Sequence, residues 1–157
     1  MANNNNPLII ELEKMLRGGT AHVGINDAVA DLPVHALAEK PYGLPYSIWQ
    51  LVEHIRIAQW DMLDFSRNPN YKPIQWPDDY WPKEAGPEDS RAFDASIKQV
   101  NEDLESFIQL LHTSDLNTPF PHGEGQTLLQ EALQIADHNA YHIAEIVVIR
   151  RLLNTWK

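Results

Sequence analysis

Apolar residues recur along this chain at alternating spacings of three and four, the signature of helices that bury one face. The stripe is clearest after Ser47, a residue suited to cap a helix, where Ile48, Leu51, Ile55, Ala58, Met62 and Phe65 share one side until Asn68-Pro69 stops it. An earlier helix is expected from Pro7 through Leu8, Leu12 and Leu16. Gly18-Gly19 interrupts it, and Thr20 can cap a further short arm over residues 21–31, so the first arm is broken or kinked. Another helix is expected over residues 88–112, with Phe93, Ile97, Val100, Leu104, Phe107, Ile108 and Leu111 inside. The last runs from Thr127 to about Asn154, with Leu128, Ala132, Ile135, Asn139, Ile146, Ile149 and Leu153 along its seam and Leu129, Leu133, Ala136, Ile143 and Val147 widening the apolar face. It is expected to be the most buried element.

Between the second and third long helices lie Pro69, Pro73, Pro77, Pro82 and Pro87, together with Tyr71, Trp76, Tyr80 and Trp81. Proline at that density forbids regular helix, while the aromatic rings argue against a floppy linker: Trp76, Tyr80 and Trp81 either cap one end of the core, the favoured reading, or lid a pocket. No alternating run flanked by hairpin turns and no internal repeat occurs. The expectation is an all-α four-helix bundle, up-down-down-up, with a long crossover between helices 2 and 3. One domain is expected over residues 1–157, with residues 1–6 as a disordered tail.

Composition changes this picture mainly by exclusion. The 157 residues are 43% hydrophobic and 22% charged, which is ordinary for a self-folding globular chain. Cysteine is absent, ruling out disulfides, thiolate metal sites and cysteine nucleophiles together and leaving metal chemistry to histidine and carboxylate. Twelve basic against twenty-two acidic residues give a formal charge of −10, which repels a phosphate backbone, and Arg150-Arg151 is the one basic doublet. No nucleic-acid partner is expected. No apolar run approaches a membrane span and the first residues lack the pattern of a signal peptide, so a cytoplasmic location without membrane attachment is expected.

Seven histidines remain to be explained. His138 and His142 are four residues apart, hence on one side of a helix, where one ion reaches both rings. With seven histidines in the chain, chance alone can supply such a pair, and a hydrogen-bonded duo without metal is the alternative. His54 occupies a similar place beside the Leu51–Ile55 seam, so contact between the second and fourth helices would gather three rings. Three imidazoles suit a divalent ion and leave at least one coordination position open, as in a site that takes water or substrate. Glu145 and Asp61, seven residues after His138 and His54, are candidates for a general base or an orienting acceptor. His22 is a reserve ligand; His35, His112 and His122 are expected to be structural or solvated.

The run Pro45-Tyr46-Ser47-Ile48-Trp49-Gln50-Leu51-Val52-Glu53-His54, the run Asp137-His138-Asn139-Ala140-Tyr141-His142 and the segment around Tyr80-Trp81-Pro82 resemble the DinB-like superfamily. That group includes transferases that use bacillithiol or mycothiol. The resemblance covers about Leu8 to Trp156 and implies an up-down-down-up bundle with His54, His138 and His142 as metal ligands. Zinc or nickel is expected first, with iron, cobalt or manganese as alternatives.

Two functions follow as expectations. One is a metal-dependent thiol S-transferase, in which a low-molecular-weight thiol takes the open position, loses its proton and attacks an electrophile; hydrolysis is the related enzymatic alternative. The other is a non-catalytic metal-binding stress-response bundle, with a homodimer as an option. The partner expected is a small-molecule substrate.

Overall fold

The computed structural model describes residues 6–18 and 21–157, in which the regular structure is helical. Five α-helices follow one another: α1 (Pro7–Leu16), α2 (Ile25–Val29), α3 (Ile48–Arg67), α4 (Ser90–Thr113) and α5 (Leu128–Leu152), with short 3₁₀ turns at Val34–Ala38, Pro41–Gly43 and Asp78–Tyr80. The described residues contain no strand, only an isolated bridge between Pro119 and Thr127.

The caps account for where the long helices start. Ser47 and Gln50 form a reciprocal capping box at α3, Thr127 and Gln130 do the same at α5, and Asp89 accepts from the Ala92 N–H at α4. Asn6 caps α1 by accepting from the Leu8 N–H, so it is part of the helix entry rather than of a tail; residues 1–5 lie outside the described residues. Within α1 the buried positions are Ile9, Leu12 and Leu16, and Leu8 is exposed, shifting the expected stripe by one residue.

The short arm also differs from expectation. Thr20 lies outside the described residues, and α2 begins only at Ile25, after Gly24. Gly18 is at φ +108°, and a Cβ there would stand 2.7 Å from the Gly24 Cα, so the chain folds back on itself through a contact that only glycine permits.

Helix α3 packs on both α4 and α5, and α1 packs on the same two. The apolar interior falls into two clusters. One joins Ala58, Met62 and Leu63 of α3 to Leu104–Leu111 of α4, Leu128–Ala136 of α5 and the buried face of α1. The other joins Ile48, Leu51, Val52 and Ile55 to Phe93, Val100, α2 and Ile143–Ile149. Between them lies a buried polar layer. Gln59 donates to the Val100 carbonyl at 2.7 Å and accepts from the Asn139 amide at 2.9 Å, tying α3 to α4 and α5. His138 and His142 fall in the same gap between the clusters on α5, and His54 lies beside Ile55 at the edge of the second cluster on α3.

Arg150 is buried at 4% exposure, donating to the Ala28 and Thr155 carbonyls, so the Arg150-Arg151 doublet is not a surface patch. No helix of the described residues is long and apolar enough to cross a membrane.

Candidate metal centre

Because α3 is capped at Ser47, His54 comes two turns into the helix, on the side that faces α5. His138 and His142 project one turn apart from the middle of α5. One ring nitrogen from each of the three residues lies within 4.8 Å of those of the other two, and the His54 and His138 Nε2 atoms are 3.0 Å apart. The structure thus brings together the three residues that the sequence singled out.

Two rings are held in a defined tautomer. The His54 Nδ1–H donates to the Tyr80 carbonyl at 2.9 Å, and the His142 Nδ1–H donates to the Glu145 carboxylate at 2.7 Å. Both bonds leave the Nε2 lone pair free to coordinate, and that of His54 faces His138. The Asn139 side-chain oxygen stands 3.4 Å from the His138 Nδ1, a longer contact of the same sense. The Trp81 indole stacks on His54 at 3.8 Å with an interplanar angle of 6°, and Tyr46 stacks in turn on Trp81, clamping the ring.

Burial disfavours the imidazolium. It pushes the His54 and His142 rings down to about 4, and His138 is lowered for the same reason. All three are neutral at pH 7, the form that coordinates a metal. For tetrahedral zinc with bonds of about 2.0–2.1 Å, donor nitrogens sit roughly 3.3 Å apart. The separations here lie close enough for small ring rotations to reach that value, and the donor set therefore fits a divalent ion.

The cluster opens on a cavity of about 450 Å³, whose remaining wall includes Asp61, Met62, Trp76, Tyr80 and Trp81. The aromatic segment therefore walls the site as well as packing on the core, so both roles open to it from the sequence are met, although the sequence favours capping alone. Asp61 borders the cavity without touching the histidines: its oxygens accept from the Tyr71 hydroxyl at 2.9 Å and the Tyr80 hydroxyl at 2.6 Å. Glu145 is the orienting acceptor. Tyr80 was not foreseen in its double role, its carbonyl fixing His54 and its phenol holding Asp61. A main-chain acceptor in an irregular segment leaves no trace in residue type.

The other histidines stay apart. His22 bonds the Val23 carbonyl and borders a different cavity, so it is not a ligand of the cluster. His112 pairs with Glu13 of α1, His122 donates to the Phe65 carbonyl, and His35 sits in a 3₁₀ turn.

The described residues thus form a helical protein in which three imidazoles, spaced as a possible metal site, stand beside a cavity. The chain belongs to the DinB superfamily: that family's model matches residues 24–146, a stretch that contains all three histidines. No curated protein and no solved structure matches the chain.

Proposed function

We propose that His54, His138 and His142 hold one divalent metal ion and that the protein is a metal-dependent thiol S-transferase acting on a small molecule. The observation that carries the reading is the convergence of three neutral imidazoles, two locked by outer hydrogen bonds, on the wall of a cavity of about 450 Å³. A closed structural site would not need such a cavity. Zinc or nickel suits the all-nitrogen set best, with iron, cobalt or manganese as alternatives. A bound ion would act as a Lewis acid, lowering the pKa of a thiol that enters its open position.

The chain's own groups do the rest. Tyr80 and Glu145 hold His54 and His142 in the coordinating tautomer, and the Trp81–Tyr46 stack keeps water from one side of the His54 ring. Choice of a thiol as nucleophile rests on resemblance to the thiol-dependent transferases of the family.

We also infer that α1, α3, α4 and α5 form one four-helix bundle in up-down-down-up order, making a single domain. Supporting this, Glu13 and Arg17 of α1 pair with His112 and Glu105 of α4 in reverse order. Early and late residues of α3 join early and late residues of α4, but late and early residues of α5.

The test is metal content of protein purified without added ions, followed by a panel of thiols with electrophiles. Expected are one equivalent of metal per chain and thiol-dependent turnover that His142→Ala abolishes. Absence of metal from protein with all three histidines intact would refute the metal reading. Bound metal without thiol-dependent turnover would remove the transferase and leave a metal-binding bundle.

A further inference from the structure

The lining of the cavity beside the histidines is uneven in charge. Trp76, Tyr80 and Trp81 line it with aromatic rings, Asp61 is its carboxylate, and no lysine or arginine borders it. Asp61 is 7% exposed, and the donors it meets are neutral phenols, at 2.9 Å from Tyr71 and 2.6 Å from Tyr80. Among the described residues it makes no ion pair. Glu131, buried nearby on α5, has its carboxyl pushed up to about 7 by burial and by the Asp61 charge, as happens where no cation compensates. Trp76 keeps 65% of its surface exposed, leaving indole surface for something outside the fold to cover.

A buried carboxylate without a counter-charge is costly, and an aromatic face attracts a cation through its quadrupole. Both features ask for the same partner. We propose that the molecule taken into this cavity carries an ammonium or quaternary ammonium head, seated by Asp61 and the rings of Trp76 and Tyr80. An organic anion would meet the Asp61 carboxylate at this end of the cavity, the ion proposed for the histidines lying at the other. The inference deepens the proposed function, since it rests on the cavity being the substrate site. The histidine end takes an electron-pair donor and the Asp61 end takes a cation, so the ligand is bifunctional, an amine-bearing small molecule rather than a polycarboxylate.

The test is calorimetric titration of the full chain, as purified and after chelator treatment, with three probes of similar size: benzyltrimethylammonium, benzyl alcohol and benzenesulfonate. The cationic probe is expected to bind about tenfold or more tightly than either of the others. Asp61→Asn should abolish that preference. Trp76→Ala, a substitution at an exposed ring that leaves Asp61 and its phenols in place, should weaken the cation several-fold with an unchanged melting temperature. Equal binding of the neutral or anionic probe to the chelator-treated protein, or a preference for the cation that persists in both variants, would overturn the proposal. Benzyltrimethylammonium has no lone pair to give a metal, so its binding is read independently of metal content. A protein that holds no metal as purified yet selects the cation would defeat the metal reading alone, and one that carries metal as purified but is indifferent to charge after chelation would defeat this one alone.

Discussion

At the scale of single residues the site depends on groups that would not touch a metal. Glu145 keeps the His142 Nδ1–H paired, and without it the ring is free to turn and to change tautomer. Glu145→Ala is expected to weaken metal binding about 10- to 100-fold, measured by competition with a chromogenic chelator, while the fold persists. Acidity gives a second prediction. Folded His54 and His142, held near 4, bind fewer protons than their unfolded forms, which titrate near 6.5. Unfolding therefore takes up protons between those values, and the metal-free protein should lose stability as pH falls from 6.5 towards 4. Melting temperatures across that range should decline less steeply in His54→Asn than in the parent. Glu131 has the opposite sign: its folded carboxyl, pushed up to about 7 from 4.5, keeps a proton that the unfolded chain releases, so its contribution is lost as pH rises through that window. Glu131→Gln should raise the melting temperature at pH 8 and have little effect at pH 4.5, and a variant destabilised at pH 8 would contradict this.

At the scale of elements the caps decide which residues a helix presents. Ser47 starts α3 and thereby sets the rotation that puts His54 towards α5; its Oγ–H also donates to the Ala85 carbonyl, linking the helix start to the end of the aromatic segment. Thr127 caps α5 with no such second bond among those observed. Thr127→Ala is expected to cost about 1 kcal/mol and Ser47→Ala more, as read by chemical denaturation. Helix bounds were legible because their signals are local: a cap, a stripe at three and four, and a proline or glycine stop. The Leu8 to Ile9 shift in α1 and the late start of α2 were not, because a ten-residue helix with apolar residues on several sides has no unique buried face until a neighbour covers one.

At the scale of the whole molecule, the two apolar clusters bracket a polar layer that α3, α4 and α5 jointly close. An ion bound there would contact residues that only the folded chain assembles. Metal at one hundred times its dissociation constant should add about 2.7 kcal/mol, or a rise in melting temperature of roughly 5–10 °C, seen by calorimetry with and without chelator. No change on chelation of a protein proven to carry metal would mean that the unfolded chain binds the ion equally well.

Residue order by itself determined the helical class, the long helices and the identity of the three histidines as a set worth joining, since periodicity and spacing are properties of the chain read locally. Only tertiary structure decided that the three rings meet, because that depends on the rotation and register of α3 against α5. It likewise decided the roles of Tyr80, Asp61 and Glu145. A main-chain carbonyl has no letter in the sequence, and a carboxylate near a histidine in number orients that ring, or leaves it alone, according to where a neighbouring segment places its own donors.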